Sequence, residues 1–335
     1  MADGFWRDRR VLITGANGFI GAWLAEALVD LGARVIGYDK FDRGALDLHP
    51  GLEPRIGLVL GDLTDQPRLE ATLAERDIQT LYHLGAQSSI SIARGSPVSA
   101  FESNIRGTWS VLDACRAFGE LETIVVASSN TVYGEHERWP FDESFALNAS
   151  HPYAASKACT DILARCYAAT WGLPIAIARA TNTFGEFDPH LDHIVPGTMM
   201  ALLRGERPDI RSDGTPSKGY LYIKDTVAGY ILLGERAADP EVRGQAVNFH
   251  PDRPTSVLEL VRTIVAVAGR ADLKPQVTGG PGKYEYEHLS NRRARELLGW
   301  SPRYSLEEGL RETFTWYREH AGAELERAAQ RFDAR

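Results

Sequence analysis

The chain has 335 residues, 44% hydrophobic and 24% charged, a balance that fits a folded globular protein with either one large α/β unit or a main unit and a smaller partner. A formal net charge of −8 excludes a polyanion-binding surface, because binding by counterion release needs clustered Lys and Arg, so no nucleic-acid partner is expected. The opening MADGFWRDRR lacks the apolar core of a signal peptide and no later run is apolar for long enough to cross a bilayer, so the expectation is a cytoplasmic protein with no membrane partner.

In chain order, RRVLITGA, ARVIGYD, IGLVLGD, TLYHLGA, TIVVASS and PIAIARA are short, rich in β-branched residues and bounded by turn formers. They read as buried parallel strands. Between them AWLAEALVDLG, PRLEATLAERD, FESNIRGTWSVLDACRAFG and SKACTDILARCYAATWG space their apolar residues by three and four, as crossover helices do. The fold class is therefore α/β, a Rossmann-type doubly wound parallel sheet over residues 1–180. Beyond residue 180 the alternation weakens into loops such as TNTFGEFDPHLDHIVPG and RSDGTPSKG, followed by helices in VLELVRTIVAVAG and RRARELLGW. Residues 181–335 read mainly as a smaller C-terminal α/β substrate-binding part, with portions of 218–250 (YLYIKDTVAGYILLGERA, AVNF) returning to the first domain. The terminal AGAELERAAQRFDAR reads as a solvated amphipathic helix. Cys115, Cys159 and Cys166 fall in helical patterns and are odd in number, which predicts buried reduced thiols rather than disulfides or a metal site.

Two patterns carry chemistry. RRVLITGANGFIG runs from a strand into Gly15, Gly18 and Gly21 and then into a helix. Glycines there allow a tight turn, a close approach of backbone N–H groups to a pyrophosphate and close helix–strand packing. Asp39 closes the next strand, about twenty residues on, where an acid accepts a ribose 2′-OH and repels a 2′-phosphate. NAD is favoured over NADP, although Lys40 and Arg43 follow closely and weaken the preference. The second pattern is HPYAASK, which sets Tyr153 and Lys157 four apart on one helical face. Free tyrosine titrates near 10, so lowering it by about three units takes about 4 kcal/mol, which a cation about 4 Å away at an effective dielectric of about 20 supplies, here the lysine helped by the positive ring of an oxidised nicotinamide. Tyr153 is then a base that takes a hydroxyl proton while hydride leaves the same carbon.

With both patterns in place, TGANGFIG, the GDL of Gly61 to Leu63, HLGAQSS, NIRGT, SSNTVYG, PYAASK, RATNTFG and LLGWSP run in the order of the extended short-chain dehydrogenase/reductase family. The chain resembles that family's nucleotide-sugar epimerases and dehydratases over almost its full length. FWRDRRVLITGANGFIGAWL, DHIVP and GYILL are most similar to the CDP-glucose 4,6-dehydratase branch. The resemblance implies NAD as cofactor, a nucleoside-diphosphate sugar as substrate, and a homodimer formed through the helices of NIRGTWSVLDACRAFG and SKACTDILARCYAATWG. It assigns Ser129, Thr131, Tyr153 and Lys157 to catalysis. Gly15, Asn17, Gly18, Phe19, Ile20, Gly21, Asp39, Lys40, Asp62, Leu63, Leu84 and Ala86 would hold the cofactor, with Asp62 and Leu63 at the adenine and His83 to Ala86 lining the site. Ser88, Ser129, Asn130, Asn182, His193, Val195, Arg211 and Lys218 would meet the substrate, and Asn104 would brace the sheet.

Departures from the family separate the candidate reactions. Dehydratases of this kind carry ionisable residues just before Tyr-Gly, where this chain has Asn130 and Thr131, neither of which transfers a proton usefully near pH 7. A C4 epimerase needs only oxidation at C4, rotation of the keto sugar and hydride return, so these residues favour an epimerase over a 4,6-dehydratase. Glu135, His136 or Glu186 would have to substitute as acid or base for dehydration, and a non-catalytic NAD-binding protein is the third reading. Lys218-Gly219 replaces the usual Arg-Asp and offers phosphate a point charge without a bidentate fork. His250 stands where glycine is common, and Ser290 where an acid is usual. Asp188, His190, Asp192 and His193 crowd one loop but match no trusted ligand spacing, so no metal is expected.

Overall fold

The apolar runs assemble into one parallel sheet because helices return the chain in the same direction, save between Asp39 and Gly57, where two short 3₁₀ turns (Ala45–Leu48 and Glu53–Arg55) make the crossing. The computed structural model describes residues 4–280, 286–322, 325, 329 and 330. Its strands β1 (Arg10–Thr14), β2 (Arg34–Asp39), β3 (Gly57–Leu60), β4 (Thr80–His83), β5 (Thr123–Ala127) and β6 (Ile175–Ala180) alternate with helices α1 (Phe19–Asp30), α2 (Gln66–Glu75), α3 (Ile90–Gly95), α4 (Pro97–Phe101), α5 (Gly107–Phe118) and α6 (Pro152–Trp171). There follow β7 (Asn182–Phe184), α7 (Ile194–Leu203), β8 (Asp209–Ile210), β9 (Ser217–Lys218), β10 (Tyr220–Tyr222), α8 (Ile223–Arg236) and β11 (Ala246–Phe249). Last come β12 (Thr255–Ser256), α9 (Val257–Val267), β13 (Gln276–Val277), α10 (Arg292–Leu298) and α11 (Leu306–His320).

The main sheet has seven strands in the order β11-β6-β5-β4-β1-β2-β3, and every pairing is parallel. It is a Rossmann-type sheet whose order reverses between β1 and β4, so a crevice opens over their C-terminal ends. Pleating divides the core. Val11 and Ile13 face the layer that holds α1 and α8, while Leu12 faces the layer of α2, α5 and α6. The later segments pair in small sheets, β7 with β10, β9 with β12 and β8 with β13.

The fold corrects three sequence expectations. β3 is not buried: Leu58 and Leu60 are 37% and 48% exposed because β3 ends the sheet. The run 101–119 is not one regular helix. Residues Glu102–Arg106 form a π-helical turn, where the Asn104 carbonyl accepts from the hydroxyls of Thr108 (2.5 Å) and Thr160 (3.0 Å) instead of serving only the helix ladder. The thiols are free, but only Cys115 is buried; Cys159 is half-buried and Cys166 exposed, because α6 turns part of its surface outward. The terminal stretch 321–335 lies largely outside the described residues.

One buried ion pair fixes the helix that carries the tyrosine and lysine. Arg179 on β6 donates from Nε and Nη2 to both Asp161 oxygens on α6, at 2.8 and 2.9 Å, and all these side chains are excluded from solvent. Its third donor reaches Tyr133 Oη at 2.7 Å, and Tyr133 donates in turn to Asn248 Oδ1 on β11 at 2.7 Å. A bidentate geometry with its remaining valences used is the condition under which a buried pair repays its desolvation.

Candidate active site

The glycines of the first loop are held by contact. Gly15 has φ +74° and donates its N–H to Tyr38 O at 2.9 Å. A methyl group on Gly15 would lie 2.6 Å from Gly85 N, and one on Gly21 would lie 2.1 Å from Gly15 O. Gly18 is the N-cap of α1 and offers no side-chain acceptor to the first turn, in which Phe19, Ile20 and Gly21 stand. The helix N-terminus therefore faces the crevice with uncapped N–H groups, the arrangement that binds phosphate. Asp39 is fixed at the end of β2, its oxygens accepting from the N–H groups of Asn17 (3.0 Å) and Phe41 (3.1 Å). Asn17 Nδ2 donates to Phe41 O, whereas its Oδ1 is buried with no protein partner. A dinucleotide fits this cradle: the glycines leave room for a pyrophosphate, and the orphaned Asn17 oxygen marks where a polar ligand group belongs.

The floor beside the cradle comes from β4. His83 is buried between the hydroxyls of Thr14 (Nδ1, 2.8 Å) and Thr108 (Nε2, 3.1 Å), and burial lowers its pKa to about 3. Leu84 donates to Thr14 O, and the loop through Ala86 is clamped by Asn104, which accepts from Gln87 N and donates to Gln87 O and Ser156 Oγ. Leu63 packs against Gly85 and Gly107, where added methyls would lie 3.1 and 2.8 Å from it. Asp62 is exposed; its burial penalty is outweighed by the Thr64 N–H and hydroxyl, which hold its carboxyl below the usual range. Lys40 is exposed, with its ammonium 5.0 Å over the Phe41 ring, and Arg43 pairs with Asp47 at 3.3 Å.

Tyr153 lies in the first turn of α6 and Lys157 one turn later. Lys157 is buried, donates from Nζ to Ala127 O at 2.8 Å, and its pKa is lowered to about 8 by burial. The phenol is not depressed as the four-residue spacing predicts. Burial pushes Tyr153 above its ordinary value, and the Ser129 hydroxyl pulls it the other way. The ammonium donates to a strand carbonyl, and burial, which spacing does not show, is the largest influence on the phenol. Ser129 caps the turn Asn130–Tyr133 by accepting from Thr131 N at 3.2 Å, and Thr131 Oγ1 lies 2.9 Å from Ser129 Oγ.

The residues expected to meet the substrate lie on remote segments of the chain. Asn182 donates from Nδ2 to Gly219 O at 3.1 Å, beside Lys218 on β9. Gly219 and His250 are packed together: a methyl on Gly219 would lie 2.4 Å from His250 Nε2, so the imidazole occupies the space a side chain at 219 would need. That nitrogen is buried without a partner, while Nδ1 lies 2.6 Å from Pro251 O. Ser290 holds the segment through its backbone, its N–H donating to Phe141 O. Ser88 is exposed in the loop before α3, and Arg211 is exposed and donates to Asp192 O at 3.2 Å. Val195 is only 3% exposed in the main core, so its side chain faces packing rather than a ligand. His193 caps α7 and pairs with the buried Asp188 at 3.2 Å, as His190 does at 2.7 Å. Ligand atoms of Asp188, His190 and His193 lie within 4.8 Å of one another, but both imidazole Nδ1 atoms are already engaged by the one carboxylate.

Sequence reasoning missed Glu287, whose carboxylate accepts from Asn130 Nδ2 at 2.6 Å and lies 3.8 Å from Lys218 Nζ. No local pattern marks it, since 157 positions separate it from Asn130. Of the residues named as substitute acids, Glu186 accepts from Tyr222 Oη at 2.8 Å, His136 packs on Phe141 and Phe145, and Glu135 is exposed.

A family model described as GDP-mannose 4,6 dehydratase matches residues 12–313. The UDP-glucose 4-epimerase of Mycolicibacterium smegmatis is 31% identical over 313 residues, covering 92% of this chain and 98% of that protein. The CDP-glucose 4,6-dehydratase of Salmonella typhimurium is 25% identical over 336 residues, covering 94% of this chain and 92% of that protein. The dTDP-glucose 4,6-dehydratase of Streptomyces venezuelae, solved with NAD bound, superposes with a TM-score of 0.85 at 27% identity, covering 94% of this chain and 99% of that one. Among the described residues, no helix is long and apolar enough to cross a membrane.

Proposed function

This chain belongs to the GDP-mannose 4,6-dehydratase family of NAD-dependent nucleotide-sugar epimerases and dehydratases, and from that premise we propose that it is a C4 epimerase of a nucleoside-diphosphate sugar. NAD is the cofactor, held by Gly15, Gly18, Gly21 and Asp39, and when bound it takes and returns the hydride. Tyr153 removes and returns the proton of the sugar hydroxyl, Ser129 orients that hydroxyl, and Lys157 contributes a buried cation beneath the strand end. Asn182 and Lys218 receive the diphosphate, with Lys218 as a point charge.

The observation that carries the epimerase reading is the composition of the turn beside Tyr153: Ser129, Asn130 and Thr131 offer hydroxyls and an amide, but no group that transfers a proton near pH 7. One observation favours a 4,6-dehydratase instead, the Glu287 carboxylate 2.6 Å from Asn130. Product mass separates the two. With a panel of UDP-, CDP-, GDP- and dTDP-sugars, an epimerase product keeps the substrate mass, whereas a product lighter by one water overturns the reading. We also propose a homodimer through α5 and α6, supported by the exposed Trp109, Ile162 and Trp171 on those helices.

A further inference from the structure

His83 closes β4 beside the glycine cradle and takes no part in the reaction proposed above, yet both of its ring nitrogens are engaged. Nε2 lies 3.1 Å from Thr108 Oγ1, and that hydroxyl lies 2.5 Å from Asn104 O. A carbonyl only accepts, so the one proton of Thr108 goes to Asn104. Thr160 Oγ1, 3.2 Å from Thr108, is the more distant partner and has Asn104 O at 3.0 Å for its own proton. Thr108 therefore has nothing to give the ring, and Nε2 carries a hydrogen and donates to it. On the other side Nδ1 lies 2.8 Å from Thr14 Oγ1, which itself accepts from Gly85 N–H at 3.2 Å. With Nδ1 bare, the Thr14 proton has an acceptor; with a hydrogen on Nδ1, that proton loses the acceptor it has among the described residues. The ring is buried and Lys157 of α6 acts on it, both of which oppose a second proton.

The two sides of the ring lead to the two halves of the site. Through Thr14, the Gly85 loop is fixed where it packs on the cradle, with a methyl on Gly15 only 2.6 Å from Gly85 N. Through Thr108, the Asn104 carbonyl is held, and the Asn104 side chain clamps the Gln87 peptide at 2.7 and 3.0 Å and donates to Ser156 Oγ at 2.9 Å. Ser156 donates in turn to Tyr153 O at 2.7 Å, in the first turn of α6. Resting on Tyr153 as the reacting group, we propose that His83 is a positioning residue: with its hydrogen locked on Nε2, it ties the loop beside the cofactor cradle to the turn that carries Tyr153.

The first test is NMR of the NAD-bound protein with isotope-labelled histidines, the His83 ring being assigned by its proximity to the methyl groups of Thr14 and Thr108. A hydrogen on Nε2 and none on Nδ1 is expected, and a hydrogen on Nδ1 overturns the proposal. Two variants then part the ends. His83→Asn places an amide near the Nδ1 position, where it accepts from Thr14 but falls short of Thr108, so the Gln87 N–H exchanges with solvent about tenfold faster while NAD is retained. His83→Gln carries its amide to the Nε2 position and donates to Thr108 but abandons Thr14, so NAD dissociates about tenfold faster while Gln87 exchange stays as it was. Variants that move both readouts together, or neither, overturn the proposal, because a ring that only fills space does not tell the two ends apart. Where a variant does not fold, the tautomer alone decides. If the tautomer and the split are found while no nucleotide sugar turns over, the proposal stands and the functional reading fails; turnover with the hydrogen on Nδ1 sinks the proposal alone.

Discussion

The two ends of the crevice are built in different ways. The cofactor end is a local structure: Gly15, Gly18, Gly21 and Asp39 lie within a single strand–helix–strand unit, and backbone groups do most of the work. The end we propose for the sugar is an assembly, with Asn130 from the loop after β5, Lys218 from β9, His250 from the end of β11 and Glu287 from the segment before α10. A cradle made of backbone tolerates little change, whereas a pocket made of side chains from distant segments can change its chemistry while the sheet stays fixed.

The sharpest way to separate the ends is Tyr153→Phe. It removes the acid–base group without touching the glycine cradle, so turnover falls by about 10²–10⁴-fold while NAD released on denaturation stays stoichiometric by mass spectrometry. Loss of the dinucleotide in that variant would break the division. A second change acts only at the assembled end. Gly219→Ala forces a methyl to within 2.4 Å of His250 Nε2 and 2.6 Å of Thr181 Oγ1, an overpacking of about 1–3 kcal/mol. Thermal denaturation shows the loss, the KM for nucleotide sugar rises, and adding His250→Gly recovers most of both.

The smallest effect belongs to the cofactor floor. Burial holds the His83 pKa at about 3, against an ordinary value of 6.5. Between those values the unfolded chain binds a proton that the folded chain refuses. This contribution to stability is therefore constant above pH 6.5 and falls by about 1.4 kcal/mol per pH unit as the pH drops through that window. Denaturant titrations at pH 7 and pH 5 measure the slope, and His83→Asn, with no titrating ring, removes that part of it.

The cradle was legible in the sequence because its determinants are neighbours: a strand, glycines at fixed offsets, a helix and an acid. The six strands of the first half were legible for the same reason. The exposure of β3 was not, because a strand's burial depends on its place in the sheet, and IGLVLGD reads the same at an edge as at the centre. Nor was the π-helical turn, which depends on Thr160 of a later helix reaching the Asn104 carbonyl. The raised Tyr153 pKa escaped because it comes from burial, which helical spacing does not reveal. Gly219 and His250 were visible as two separate oddities, and only the structure brings them into contact.

The sheet does not close when its sixth strand has been made. Its last strand, Ala246–Phe249, pairs with Ile175–Ala180 only after the chain has gone out to build β7 through α8. During synthesis that edge therefore stays uncovered until Phe249 has emerged. Until then the hydrophobic margin of β6 is an open edge, available for pairing with another chain.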